Sequence, residues 1–294
     1  MRDEQQQLSP SSRVGNVLET LHRIGSGVRH SRFLEDQRWL WPKIEPHLRN
    51  AFEWLSRKLG SPVRFNEDML RLERAVASHY GRSNLRRYEA RVYQAFIQRI
   101  EKGMRVFDIG AHIGLFTLAA AKRVGNEGRV YAFEPSTEAA EILNHHIRLN
   151  GWQDRVEVVR AVVCDVDGVV PFYVEGLSVA ASLGRENIEA PLKVETPSVT
   201  LDRFCKVRSI KPDVLKVDVE GAELLVLRGA RDLLMTENLS IFCEIHPGRM
   251  QYCQSSLAEL DAFLGNIGYC REPLDEPNEW GVFHCFIGRC ETAR

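Results

Sequence analysis

The chain's ionisable residues gather where its short apolar runs end. Residues 104–109, with Asp108 near the end of the run, pass into Gly110-Ala111-His112-Ile113-Gly114. Such a strand-to-helix junction lets backbone approach a ligand closely, because glycine has no side chain in the way. A dinucleotide fingerprint would need G-x-G-x-x-G, whereas here two glycines stand four apart behind Asp108, which argues against a pyrophosphate site. Residues 128–133 end at Glu134-Pro135, and an acid in that position can accept hydrogen bonds from both hydroxyls of a ribose. After the third run, 156–163, Cys164-Asp165 could set a carboxylate beside an adenine amino group. Each acid alone could be a surface charge or a helix cap. Together, at three successive run ends, they point to a nucleoside.

A second group follows the fourth and fifth runs. Alternation along 214–220 puts Lys216, Asp218 and Glu220 on one face until a helix begins near Glu223. The fifth run, 239–245, leads into Glu244-Ile245-His246-Pro247 and brings an imidazole, with a reference pKa of about 6.5, to the same end. These groups could act as bases or hold a substrate. Structural roles are open to each: a buried Lys216–Asp218 ion pair, Glu220 as a helix cap, His246 closing a turn before Pro247. Asp218, Glu220, Glu244 and His246 could also gather a divalent cation, but nothing in their spacing demands a metal.

Positioning these residues requires short β-type runs alternating with helical ones, the pattern of βαβ units and a mostly parallel sheet. In such a sheet ligands bind at the carboxyl ends of the strands. Helices are expected at 85–100, 115–123, 222–234 and 256–267, and at 137–150 between a Ser136 cap and the Asn150-Gly151 stop. Extra strands are expected at 170–174 and 198–201, a mobile loop at 182–191, and a closing antiparallel pair at 269–272 and 282–288. Residues 1–80 form an expected helical extension, with helical spacing at 13–60 and Trp39, Trp41 and Trp54 suited to packing; 81–294 form the α/β domain.

Of 294 residues, 44% are hydrophobic and 27% charged, which excludes a disordered or fibrous chain. No apolar stretch nears the roughly 18 residues of a membrane span. The start, Met1-Arg2-Asp3-Glu4, lacks the apolar core of a secretory signal, so a cytoplasmic location is expected. Seven cysteines without a C-x-x-C pair read as small buried hydrophobes, with Cys285 and Cys290 singled out for reactivity. Residues 1–103 carry 19 Lys+Arg against 12 Asp+Glu, leaving 20 against 28 in the rest, so the halves differ by sign, +7 and −8. A basic appendage docking on an acidic body explains this, as would an anionic partner such as a nucleotide-linked substrate; a nucleic-acid partner is not expected.

The motifs resemble the FkbM-type S-adenosylmethionine-dependent methyltransferases over roughly residues 88–247. The resemblance rests on Val106-Phe107-Asp108-Ile109-Gly110-Ala111-His112-Ile113-Gly114, on Phe133-Glu134-Pro135, on Thr200-Leu201-Asp202 and above all on Leu215-Lys216-Val217-Asp218-Val219-Glu220-Gly221-Ala222-Glu223. It implies a Rossmann-like, seven-stranded, mostly parallel sheet with helices on both faces. The methionine part would lie by Asp108, Gly110, Ala111, His112 and Gly114, the ribose on Glu134 beside Pro135, and the adenine on Asp165. His112 stands where the family commonly has asparagine, and both can donate a hydrogen bond.

With a sulfonium methyl donor, positioning carries most of the catalysis, while a hydroxyl acceptor still needs a base or a metal. The expected order of bases is His246, Asp218, then Glu220, with Lys216 in the same group. The resulting expectation is O-methylation of a small molecule or glycan, a sugar or a natural product. A dinucleotide oxidoreductase or epimerase would share the fold but lacks the third glycine and a Tyr-x-x-x-Lys pair. A non-catalytic nucleoside-binding scaffold is the remaining class.

Overall fold

The computed structural model describes residues 58–73, 88–174 and 192–290, together with residues 47, 76 and 85. The helical spacing of 13–60, its three tryptophans and the 182–191 loop lie outside these residues, apart from the last few before Gly60. The chain divides into two compact units, 1–85 and 86–294.

Within the first unit, residues 61–72 depart from the expected helical extension. Strands β1 (Ser61–Phe65) and β2 (Asp68–Leu72) form an antiparallel hairpin, with Phe65 opposite Asp68 across a two-residue Asn66-Glu67 turn. Asn66 takes the left-handed conformation that this residue type tolerates. Val63, Phe65, Leu70 and Leu72 are all buried. Their period of two is the strand signal.

The second unit opens with α1 (Ala90–Gln98), β3 (Arg105–Ile109), α2 (Leu115–Val124), β4 (Arg129–Phe133), α3 (Thr137–Asn150) and β5 (Val156–Val159). Ser136 caps α3 through the amide of Ala139, and left-handed Gly151 ends it. Short β6 (Val162–Val163), β7 (Gly168–Val174) and β8 (Leu192–Val199) make a separate three-stranded sheet. There follow α4 (Leu201–Arg208), β9 (Val214–Val217), α5 (Glu223–Arg228), α6 (Arg231–Thr236), β10 (Ser240–Ile245), α7 (Pro247–Met250), α8 (Leu257–Asn266), β11 (Tyr269–Pro273) and β12 (Phe283–Arg289).

The main sheet runs β11-β12-β10-β9-β3-β4-β5. Neighbours from β10 to β5 pair in parallel, while β12 runs antiparallel to both β10 and β11. Chain order reverses between β3 and β9, which opens a crevice at their carboxyl ends. Period-two alternation divides the strand residues between two faces. Phe107, Leu215, Val217, Ile241, Cys243 and Cys285 join a core with Leu224, Leu227, Leu260 and Leu264 of the helices. The opposite face meets α1 and α2, where Phe96 stacks edge-on against Phe116 and Phe242, each at 5.5 Å. Asp108, Lys216, Glu244 and His284 occupy even-numbered positions on that second face.

Four expectations for this unit change; the strand expected at 198–201 runs instead over Leu192–Val199, with Thr200 capping α4. The third strand breaks after Val159, and Val162–Val163 pairs instead with β8. The helix expected over 222–234 is two helices. A Cβ on Gly229 would lie 2.1 Å from the Cys164 carbonyl oxygen, so the chain passes too close there to continue as a regular helix of larger residues. Asp202 then accepts from the Asp232 and Leu233 amides at 3.0 and 2.8 Å, satisfying the start of α6. Finally, Cys270 and Cys290 form a disulfide, and Cys285 is fully buried, so neither residue singled out for reactivity is an accessible free thiol.

Candidate active site

The glycine loop after β3 is tied down on several sides. The amides of Gly110 and Ala111 both donate to the Phe133 carbonyl at the end of β4, and the Asp218 amide donates to the Ile109 carbonyl. Gly110 has a φ of 81°, and a Cβ there would lie 1.7 Å from the Asp218 carbonyl oxygen. Gly114 caps α2 in a left-handed conformation, with a would-be Cβ 2.2 Å from Leu143. His146, buried on α3, points Nδ1 at the Ile113 carbonyl at 2.8 Å. Burial lowers its pKa to about 4, so at neutral pH the ring is neutral and Nδ1–H donates. Beneath the loop, Asp108 accepts the Thr117 hydroxyl at 2.5 Å; burial raises its pKa against the pull of Lys216.

Glu134 is buried at the end of β4, with Pro135 leading from it to the Ser136 cap. Its Oε2 accepts the His112 amide at 2.7 Å and its Oε1 the Ser136 amide at 2.8 Å. The left-handed φ of His112 turns that amide toward the carboxylate. Burial raises the Glu134 pKa to about 7, opposed by these two donors. Each oxygen keeps a further lone pair, so the carboxylate presents two adjacent acceptors, the pattern that a vicinal diol satisfies. Asp165 follows β6, not the end of the third main-sheet strand as expected. It stands six residues beyond the end of the third main-sheet strand, exposed, where the chain passes Gly229. The break after Val159 carries the chain from the main sheet to the three-stranded one before Asp165 is reached.

Past β9 and β10 the ionisable residues converge. Lys216 is buried with its Nζ 3.1 Å from Asp218 Oδ2 and 4.6 Å from the centre of the Phe116 ring. Burial alone would lower its pKa, yet the carboxylates of Asp218, Glu89, Asp108 and Glu244 raise it, and it is charged. Burial would raise Asp218, but Lys216 and His246 bring it down to about 2. The expected Lys216–Asp218 ion pair is therefore present. His246 points Nδ1 at Glu223 Oε1, 2.8 Å away, and its Nε2 lies 3.4 Å from Glu220 and 3.7 Å from Glu244. Burial opposes protonation, but the bond to Glu223 and the surrounding carboxylates raise the His246 pKa above its usual value.

Glu223, fully buried, also accepts the Gly221 amide at 2.9 Å, so it braces the β9 loop against His246. Glu220 makes no helix cap. Its carboxylate pairs with Arg249, and the first turn of α5 has no side-chain cap.

Sequence reasoning passed over three residues at this end. Glu89 precedes α1, and its Oε2 lies 3.5 Å from His284 Nε2. His284 begins β12 opposite Glu244, with 3.6 Å between Nε2 and Glu244 Oε2. Asp275, in the β11–β12 connection, bonds both the His284 amide and Nδ1 at 2.7 Å. An antiparallel strand starts where its parallel neighbours end, so inspecting the first residues of the closing pair would have found His284.

The fold and these two groups define a Rossmann-like α/β domain with a nucleoside-type acceptor pair at one side of the switch point and an acid–base cluster at the other. Residues 108–270 match the Methyltransferase FkbM domain. The chain belongs to the FkbM methyltransferase family, whose methyl donor is S-adenosylmethionine. It is 28% identical over 167 residues to the hexuronic acid methyltransferase AglP of Haloferax volcanii, covering 55% of this chain and 64% of AglP. Among solved structures, an O-methyltransferase from Bacillus cereus in complex with SAH superposes with a TM-score of 0.45 at 14% identity, covering 74% of this chain and 86% of that one. No helix among the described residues is long and apolar enough to cross a membrane.

Proposed function

We propose that this protein transfers the methyl group of S-adenosylmethionine to a hydroxyl of a small molecule or glycan, with a sugar as the favoured acceptor. The observation that carries the proposal is the shared crevice: the Gly110 loop and Glu134 on one side, Asp218, Glu244 and His246 on the other, joined through the Asp218 backbone that packs on Gly110. The similarity to a hexuronic acid methyltransferase supports the sugar. The donor set fits the cofactor. Glu134 would hold the ribose hydroxyls, and the loop of Gly110, Ala111, His112 and Gly114 would admit the methionine part past Asp108. Asp165 is left out of this proposal.

When bound, S-adenosylmethionine supplies a methyl group already activated on a cationic sulfur, so the protein's work is alignment and removal of the acceptor's proton. His246 has Nδ1 committed to Glu223 and turns Nε2 toward Glu220 and Glu244. Asp218, grouped with Glu244 and His246 and carried by the backbone that packs on Gly110, is the proton acceptor in this reading. Glu220 and Lys216 hold the electrostatic balance around it. Transfer of labelled methyl from S-adenosylmethionine to a panel of uronic acid and neutral glycosides tests the reading. Asp218→Asn should lower turnover by about 10²-fold or more, with S-adenosylhomocysteine affinity changed by less than about threefold. Full turnover in that variant would move the base elsewhere.

The ionisation of Glu134 gives a second check. Hydroxyls donating to a carboxylate favour its charged form, so ribose binding should pull the Glu134 pKa down from its ligand-free value of about 7. Affinity for S-adenosylhomocysteine should therefore rise with pH, roughly tenfold per unit below about pH 6, and level off above about pH 8. Calorimetry across that range should show the slope in the native protein and none in Glu134→Gln. A native protein without the slope would mean that the ribose lies elsewhere.

A further inference from the structure

We propose that Glu89, Glu244 and His284 form a binding site for one divalent transition-metal cation at the acceptor end of the crevice. One ligand atom from each of Glu89, Glu244 and His284 lies within 4.8 Å of the other two. The imidazole nitrogen is 3.5 Å from the first oxygen and 3.6 Å from the second, too far for good hydrogen bonds. Ligands bound at about 2.1 Å in a tetrahedral site stand about 3.4 Å apart, so these separations match the edges of such a site.

The second observation concerns His284 itself. The residue is 8% exposed, and its buried Nε2 faces the Glu89 and Glu244 carboxylates at ion-pair range without a close, well-aligned hydrogen bond to either. Its other nitrogen is taken by Asp275 at 2.7 Å, and the same carboxylate grips the residue's amide. A carboxylate behind an imidazole fixes the tautomer and leaves the far nitrogen's lone pair for a metal. The three ligands come from different elements: the turn before α1, the end of β10 and the start of β12. Two carboxylates and one imidazole suit Mn²⁺ or Zn²⁺. With three protein ligands, a fourth position remains open for one acceptor oxygen, whose hydroxyl would lose its proton more readily on the cation. That use rests on the methyl-transfer reading; the cation site does not.

The test uses the full chain, treated with a chelator and then titrated with Mn²⁺, free ion being followed by electron paramagnetic resonance. One equivalent should bind to the native protein. Glu89→Gln and His284→Gln should each weaken binding at least tenfold, while S-adenosylhomocysteine binding stays within about threefold. Absence of stoichiometric Mn²⁺ binding, or affinity unchanged in both variants, overturns the site. Should a variant fail to fold, Co²⁺ bound to the native protein decides the matter. A visible spectrum of low-symmetry four- or five-coordinate cobalt supports the site, and a weak octahedral aquo-type spectrum refutes it. Mn²⁺ bound as described by a protein that does not bind S-adenosylhomocysteine would refute methyl transfer and leave the metal site standing.

Discussion

Replacing Lys216 by methionine should cost the protein about 3–5 kcal/mol of stability, read from the shift of the denaturant midpoint at constant m-value. The substitution keeps most of the side chain's volume, so little of the loss comes from a cavity. What disappears is the buried cation that Asp108, Asp218, Glu89 and Glu244 share, and the carboxylates left behind are buried without compensation. Asp108 is the most exposed to this effect, since it is 1% accessible and sits directly opposite Lys216 in the β3–β9 ladder. A double variant, Lys216→Met with Asp108→Asn, should therefore recover part of the loss. A single variant within about 1 kcal/mol of the native protein would show that the ion pair contributes nothing net, as some buried pairs do.

Gly110→Ala should reduce S-adenosylhomocysteine affinity by at least about 10²-fold. Two independent obstacles meet at this residue. Its φ of 81° is strained for any L side chain, and the new methyl would overlap the Asp218 carbonyl oxygen, which is backbone and has no rotamer to escape into. The loop must then move away from β9 by more than an ångström, a displacement sufficient for losses of that size in a positioned site. Gly103 provides the control, because it is also left-handed, at φ 86°, yet has nothing within 4 Å of a would-be Cβ. Gly103→Ala should lower stability modestly and leave affinity alone. Near-native affinity in Gly110→Ala would sink the assignment of this loop to the cofactor.

Much of the site was readable because chemistry and element ends coincide. The run at 214–217 is apolar apart from Lys216, and β9 has those very limits, so Asp218 stands at its end beside Lys216, while Glu220, at φ 55°, lies beyond the reach of strand alternation. Glu134 was legible for the same reason. Asp165 was not, since nothing in Arg160-Ala161 signals that the third strand leaves one sheet for another; only the pairing of Val162 with Ser198 does so. The hairpin at 61–72 had a visible alternation of Val63, Phe65, Leu70 and Leu72 that the helical spacing upstream overshadowed. Glu89 and His284 are 195 positions apart, and no local pattern joins them. Their meeting depends on the reversed direction of β12, a property of the whole sheet.

That reversal has an evolutionary corollary. Because β12 starts where its parallel neighbours end, the link from Pro273 to Phe283 lies at that end of the sheet and contributes Asp275 to His284, whereas Gly110 and Glu134 belong to the opposite half of the chain. Under the proposed reading, lengthening or rewriting that link would alter the surroundings of His284 and leave the Gly110 and Glu134 half untouched, so drift in a single surface connection would be felt at one end of the crevice alone.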